Sequence, residues 1–245
     1  MKRICLLTAA AIAAVSVLVP ASASAAVIEL GATTTPLVAP ICPKGVSASN
    51  CTIILTEVTA LETIRDNIVY PTTVKRAGRI VAFTLGLSRL DPNRTTARQD
   101  IHFLDQTYGG TTRAAIAVLK PVGSKANRRW TVVAESPAYH LQPYLGQVVQ
   151  FPLETTLPIT PGEVVALTVP TWAPVLSIQV SSTRFAYRQS RNANCTNPPA
   201  TSQAQVTPGQ NAQYLCNYPG TRVEYSATEV TNPATVSPIH AKRRK

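Results

Sequence analysis

The chain has 245 residues, of which 45% are hydrophobic, and its 23 basic and 12 acidic residues give a formal net charge of +11. It has only three histidines, no C-x-x-C pair and no GxSxG, H-E-x-x-H, P-loop or G-x-G-x-x-G motif. Zinc, serine and nucleotide-dependent chemistry therefore have no signature, and neither a metal nor a cofactor is predicted.

Residues 1–25 are typical of a secretory signal peptide. Lys2 and Arg3 precede an apolar run over residues 4–18, and small residues lead to a cleavage site after Ala25. A transmembrane helix needs about 20 apolar residues, and this run is shorter. We therefore expect an extracellular protein without a transmembrane anchor.

Cleavage would leave four cysteines, which allow three disulfide connectivities. We favour Cys42–Cys51 and Cys195–Cys216, because each pair is close in sequence and brackets a segment rich in Pro, Asn, Ser and Thr. Residues 26–50 are low in charge and are expected to form an extended lead-in that Cys42 pins.

Residues 51–230 read as short β-branched and aromatic runs separated by Pro and Gly, which predicts one all-β domain. The runs begin at Thr52, Arg79, Asp100, Ala114, Arg129, Gln147, Glu163, Leu176, Arg184, Ala212 and Thr221. No sustained helical stripe is evident. About ten strands at this spacing predict an antiparallel β-sandwich with jelly-roll-like topology.

Two of these runs alternate with a period of two residues, so their apolar side chains should share one face. The members of these faces are Val81, Phe83, Leu85 and Leu87 in one run, and Trp130, Val132 and Ala134 in the other.

The segment RQDIHFLDQTY holds the best candidate for chemistry. On a strand, Asp100 and His102 would share a face as an acid–base or metal-binding pair, with Asp105 on the other face. An Asp and a His two residues apart on a strand are more often a hydrogen-bonded pair on the surface. His140, near Glu135 and Tyr139, has the same status.

Aromatic residues near Pro-rich connections are the candidates for ligand binding. Trp172 lies between prolines, Tyr139 and Tyr144 flank another connection, and Trp130 follows two arginines. Such rings stack on sugar faces when they are exposed, whereas a buried Trp closes the end of a sandwich. We favour the buried arrangement for Trp172.

Without Lys2 and Arg3, 21 basic residues remain beside 12 acidic ones, a net charge of +9. The last four residues, Lys242, Arg243, Arg244 and Lys245, follow a Pro- and Thr-rich stretch, so residues 231–245 are expected to be a disordered basic tail that attracts polyanions. The other basic residues are scattered, and no dedicated nucleic-acid site is predicted.

The order of motifs across residues 42–235 resembles a group of secreted single-domain proteins of actinobacteria. The motifs are AGRIVAFTLGLSRL, RAAIAVLKPV, RWTVVAESP, LGQVVQFPLETTLPITPGEVVALTVP and QYLCNYPGTRVEYSA. The resemblance implies a β-sandwich and a bacterial origin, and because the group has no established activity it implies no functional residues.

Two functions remain open at this point. The first is a secreted, non-enzymatic module with a structural or binding role at the cell surface or wall, where its partners would be anionic wall polymers or glycans. The second is a hydrolase of polysaccharide or peptide that uses the Asp100, His102 and Asp105 cluster. A pocket with converging polar groups would favour the enzyme, and a basic or aromatic face would favour the binding module.

Overall fold

The computed structural model describes residues 24–46, 50–125, 127–191 and 203–233. They form fifteen strands, the helix α1 (Arg94–Thr107) and a short 3-10 helix at Gln142–Tyr144. The strands are β1 Val27–Leu30, β2 Leu55–Arg65, β3 Ile68–Val69, β4 Gly78–Gly86, β5 Arg113–Val122, β6 Arg129–Glu135, β7 Tyr139–His140, β8 Val148–Ile159, β9 Val164–Ala173, β10 Leu176–Ile178, β11 Phe185–Gln189, β12 Asn211–Ala212, β13 Cys216–Pro219, β14 Thr221–Val223 and β15 Tyr225–Thr231.

Eight of the strands form two antiparallel sheets with a jelly-roll topology. The first sheet has the order β1-β15-β4-β8, and the centre of the second sheet has the order β6-β5-β9-β2. Numbered along the chain, these strands take positions 1-8-3-6 in one sheet and 5-4-7-2 in the other, so that the chain crosses repeatedly between sheets. The predicted all-β sandwich is confirmed.

The chain between β9 and β15 enlarges the second sheet at both edges. Strands β11 and β13 add to the β2 edge, and β12 adds to the β6 edge, which gives the order β12-β6-β5-β9-β2-β11-β13. Strands β3 and β7 pair with β2 and β5, and β10 and β14 pair with each other. This long insertion, residues 174–224, carries features that bear on function.

The main core lies between the sheets, where Phe83, Leu85 and Leu87 are fully buried as predicted. Val81 is an exception, because it is half-buried and Ile80 takes the place in the core. The pairing of β4 with β8 shifts register between Ile80 and Ala82, so the alternation of faces reverses there.

A second apolar cluster covers the outer face of the second sheet. Trp130, Val132 and Leu119 pack there against Ala212 and Tyr214 of the insertion. A sheet that is buried on both faces explains the continuous apolar runs AAIAVL and VVAL. The alternation predicted for β6 holds for two of its three residues.

The third residue of that predicted face, Ala134, packs against the main core instead. The reason is a register shift in the pairing of β5 with β6, between Val118 and Leu119, which are opposite Ala134 and Val132. The irregularity turns Ala134 to the opposite face of the sheet from Val132.

The strand predicted from Asp100 is wrong, because this segment belongs to α1. Asn93, in the sequence Asp-Pro-Asn just before the helix, is its N-cap. Its side-chain oxygen accepts hydrogen bonds from the backbone N–H groups of Thr95 and Thr96, at 2.8 and 3.2 Å. This cap satisfies two backbone donors that the first helical turn leaves without partners.

The apolar stripe of α1 is short. Ala97, Ile101, Leu104 and Tyr108 recur at intervals of four, three and four residues, and Leu104 alone among them is fully buried. The spacing is helical. Because only one strong hydrophobe reaches the core, the run of Ile, Phe and Leu resembled a strand in sequence.

The predicted lead-in is part of the domain, which forms one compact unit over Ala25–Asn232. Its β1 strand pairs antiparallel with β15, from Val27 opposite Val230 onward. The predicted Cys42–Cys51 disulfide is present. Cys216 is a disulfide-bonded, buried cysteine, and Cys195, its predicted partner, lies outside the described residues.

Arg65 joins the two sheets through a guanidinium that is 1% exposed. It donates hydrogen bonds to the carbonyl groups of Gly31 after β1, of Val223 (2.8 Å) in β14 and of Tyr225 (2.6 Å) in β15. Its Nε lies 2.6 Å from Oε2 of Glu62. Burial raises the pKa of Glu62 to about 7, although the charge of Arg65 and its contact with the carboxylate act to lower it.

Residues 31–38, here called the N-terminal strap, are held by further charged side chains. Arg222 donates to the carbonyl groups of Thr35 and Pro36, at 3.0 and 2.9 Å, and its Nε lies 3.4 Å from Glu224. Glu224 accepts the backbone N–H of Val38 at 3.3 Å. The backbone groups of Thr35, Pro36 and Val38 thus bond to side chains instead of a strand partner.

Asp66 holds the other end of the strap from the tight turn between β2 and β3. It accepts hydrogen bonds from the hydroxyl of Thr33 (2.7 Å) and from the backbone N–H (2.8 Å) and hydroxyl (2.8 Å) of Thr35. Arg184 donates to the same carboxylate. Asp66 and Asn67 both have positive φ, 49° and 67°, as a two-residue type I′ hairpin requires.

Replacement of Arg65 should be among the most damaging single changes in the domain. Arg65→Met leaves three buried carbonyl groups and the Glu62 carboxylate without their partner, so we expect the free energy of unfolding to fall by about 3–5 kcal/mol. The matched control is Arg184→Met. Because the Arg184 side chain is 46% exposed, its replacement should lower the free energy of unfolding by about 1 kcal/mol or less. Urea denaturation measures both, and equal losses would contradict the role of Arg65.

The hydrogen bonds to Asp66 should make the domain sensitive to acid. Burial acts to raise the pKa of Asp66, but the bonds from Thr33, Thr35 and Arg184 outweigh it and hold the pKa well below its ordinary value of 3.8. The stabilisation is present above pH 4 and is lost as the pH falls below it, because the unfolded chain takes up the proton first.

Asp66→Asn should therefore lower the denaturation midpoint at pH 7, and its difference from the parent protein should shrink between about pH 4 and pH 2. The exposed Glu154→Gln is the control and should leave the pH profile unchanged. A constant difference across the pH range would show that the carboxylate charge has no part in holding the strap.

Candidate functional site

Several predicted features lie outside the described residues. They are most of the signal peptide and the basic tail with Lys242, Arg243, Arg244 and Lys245. Within residues 24–46, 50–125, 127–191 and 203–233, no helix is long and apolar enough to cross a membrane.

Two of the four aromatic candidates are buried and do not present a ring to a ligand. Trp172 lies inside β9 with 0% exposure, and its indole N–H donates to Asp105 at 2.9 Å. Trp130 is 4% exposed and packs under Tyr70, with ring centroids 5.6 Å apart. Neither ring is therefore placed to stack on a ligand, and for Trp172 this is the buried arrangement that we favoured from the sequence.

The predicted acid–base cluster is dispersed around α1. Asp100 and His102 are two positions apart, which on a helix turns their side chains about 200° from each other. Asp105 faces the sheet, where it accepts the hydrogen bond from Trp172. Burial, followed by the charge of Asp91, raises the pKa of Asp100. The helix thus removes the shared face on which the catalytic hypothesis depended.

His140 and Glu135 are also apart. His140 pairs with Arg113 at the start of β5, whereas Glu135 pairs with Ala117 four residues further along, a distance of about 13 Å at the rise of a strand. The His140 ring contacts the hydroxyl of Thr111 at 3.2 Å. Burial raises the pKa of Glu135 to about 7.

The other two aromatic candidates, Tyr139 and Tyr144, line one open groove of about 420 Å³. We call it the aromatic groove. Its remaining lining comes from consecutive residues of β8, from Val149 to Glu154. The connection before β8 therefore brings both predicted tyrosines onto the edge of the first sheet.

Phe151 organises the rings of the aromatic groove. Tyr144 meets it edge to face at 5.2 Å, Tyr139 meets it at 5.7 Å, and Phe83 stacks beneath it at 5.1 Å. Tyr144 is 37% exposed, so this ring is presented to solvent on an apolar support. Gln150 and Glu154 are exposed polar residues of the lining, and the side-chain N–H of Gln150 donates a hydrogen bond of 3.1 Å to the hydroxyl of Thr228.

The backbone beside the groove is not suited to pairing with another strand. β8 is an edge strand, and Pro152 in its middle has no N–H to donate. The carbonyl of Pro152 already accepts a hydrogen bond of 2.9 Å from the hydroxyl of Tyr139. A ligand here must therefore be recognised by side chains instead of by strand addition.

The sequence marked Tyr139 and Tyr144 through their place in a Pro-rich connection, but it gave no sign of Phe151 as their support. The alternation of Phe151 and Leu153 in β8 was the available signal, and it reads as an ordinary core face. In the described parts of the chain, no group of three or more His, Cys, Asp or Glu side chains is arranged to hold a metal ion.

The comparisons found no match for the chain among protein-family models, curated proteins or solved structures. The resemblance to secreted actinobacterial proteins therefore stays a prediction.

Proposed function

We propose that the protein is an exported β-sandwich module that binds glycan chains at the cell surface through the aromatic groove, without catalysing a reaction on them. The observation that carries this proposal is the pair Tyr139 and Tyr144, which flank a groove with Phe151 behind them.

The chemistry of the groove fits a sugar ring. A pyranose has apolar C–H faces, which suit an aromatic platform, and hydroxyl groups at its rim, which suit amide and carboxylate partners. Tyr144 offers the platform, and the amide oxygen of Gln150 and the carboxylate of Glu154 offer the partners. The open shape suits a polymer that runs past the site more than a small molecule that is enclosed by it.

Export is supported by where the fold begins. Cleavage after Ala25 would make Ala26 the first residue, and Ala26 is the residue whose backbone N–H and carbonyl both bond to Thr231, next to the end of β15. The Cys42–Cys51 disulfide fits an oxidising compartment. The basic charge adds attraction to anionic wall polymers.

The test is a pull-down of the mature protein on purified bacterial wall, chitin and cellulose across a salt series. We expect binding to one of these materials that survives high salt, because apolar stacking is not screened by ions as charge attraction is. Tyr144→Ala should weaken this binding about tenfold, which corresponds to roughly 1.4 kcal/mol for loss of one stacking ring.

The matched control is Phe103→Ala, which removes another exposed ring, 62% accessible, from α1. It should leave binding unchanged. Deletion of the last four residues should weaken only the component of binding that high salt removes. The proposal fails if Tyr144→Ala binds like the parent protein, or if the tail deletion removes all binding at every salt concentration.

A further inference from the structure

We infer that the outer face of the second sheet carries a separate binding pocket for a carboxylate attached to a short apolar group, with Arg188 as its anion-binding residue. This site, here called the Arg188 pocket, has a volume of about 310 Å³. Its main lining residues are Ile64, Val69, Tyr70, Ala186, Arg188 and Asn217. The inference does not depend on the aromatic groove.

The strand register builds the floor of the Arg188 pocket. Ala186 in β11 is opposite Ile64 in β2 and opposite Pro219 in β13, so the three side chains form one apolar row across the sheet. Two residues further along β11, Arg188 is opposite Asn217 on the same face. A guanidinium and an amide therefore stand directly beside an apolar floor.

Two elements wall the pocket. The hairpin after β2 contributes Val69, which is 67% exposed, and Tyr70, whose ring is fixed against Trp130. On another side lies the insertion, where the carbonyl of Tyr214 accepts a hydrogen bond of 3.1 Å from Nη1 of Arg188. Among the described residues, Tyr214 and its neighbours cover one part of the outer face and leave the face open at the pocket.

Arg188 lacks an anionic partner in the described parts of the chain. The ion pairs found there involve Arg65, Arg184 and Arg222. Arg188 is half-buried and uses one nitrogen to orient itself on Tyr214. The remaining donors of its planar fork suit a carboxylate, which accepts two parallel hydrogen bonds.

The ligand class follows from these groups. Arg188 binds the carboxylate, and the exposed Asn217 beside it supplies an amide for a neighbouring polar group. Ile64, Val69 and Ala186 contact an apolar substituent. The volume is at the lower end of the range for ligand pockets, about 300–1,000 Å³, so the recognised group is small. A free amino-acid derivative and the C-terminal residue of a peptide both carry this chemistry.

The test is a titration of the whole mature protein with N-acetyl-leucine, followed by backbone NMR. We expect shifts at Val69, Ala186 and Asn217. The carboxamide N-acetyl-leucinamide should bind at least about tenfold more weakly, because it lacks the charge that Arg188 recognises. A glycine-rich peptide that ends in leucine distinguishes the two kinds of ligand. If it binds more tightly than N-acetyl-leucine, the pocket recognises the C-terminal residue of a peptide; if it binds more weakly, the pocket recognises a free amino-acid derivative.

Arg188→Gln should remove the preference for the carboxylate, and Arg113→Gln, an exposed arginine at the start of β5, is the control that should not. Asn217→Asp tests the site without touching Arg188 or its bond to Tyr214. This exposed substitution places a carboxylate opposite the guanidinium and should weaken N-acetyl-leucine at least about tenfold. The inference is overturned if no shifts occur at about 10 mM, if the carboxamide binds equally, or if neither variant changes binding.

Discussion

The fold depends on one buried guanidinium. Arg65 is the last residue of β2 in the second sheet, and its hydrogen bonds end on the carbonyl groups after β1 and in β14 and β15. An apolar side chain at this position would fill the space but leave those carbonyl groups without donors, at a cost of about 1–3 kcal/mol each. Gly31 makes the approach possible: its φ is +81°, and a Cβ there would lie 3.1 Å from Nη1 of Arg65.

The hydrogen bonds of Arg65 are also the feature of the fold that the sequence predicts least well. The period-two pattern predicted the sandwich because most strands bury one apolar face, and the pattern says nothing about which arginine is buried. The same reasoning failed at Val81 and Ala134 for a definite reason, since a register shift reverses the alternation without leaving a mark in composition. It failed at α1 because one buried leucine is too little to separate a surface helix from a strand.

The candidate site was predictable to the extent that it depends on local context. Tyr139 and Tyr144 lie in a Pro-rich connection, and such residues lie on the surface, as both do in part. Their convergence required Phe151, which is distant from Tyr139 in sequence and meets it only through the pairing of β8 with β4. Trp172 had a similar context but lies within β9, a central strand of the second sheet, where its ring is buried.

The insertion between β9 and β15 turns a plain jelly roll into a scaffold with a second binding surface. Gln205 fixes it to the sheet, because its N–H donates to Thr59 at 2.8 Å and its amide donates to the carbonyl of Trp130 at 3.2 Å. The described residues of the insertion, 174–191 and 203–224, cover only part of the outer face, and β13 adds beside β11. If the insertion covered the whole face, it would bury the row of Ile64, Ala186 and Pro219. If it were absent, Arg188 would lack the carbonyl of Tyr214 that orients it. Partial cover is what produces a pocket with an apolar floor and a positioned cation, and this places the two proposed sites on different sheets, where they can act independently.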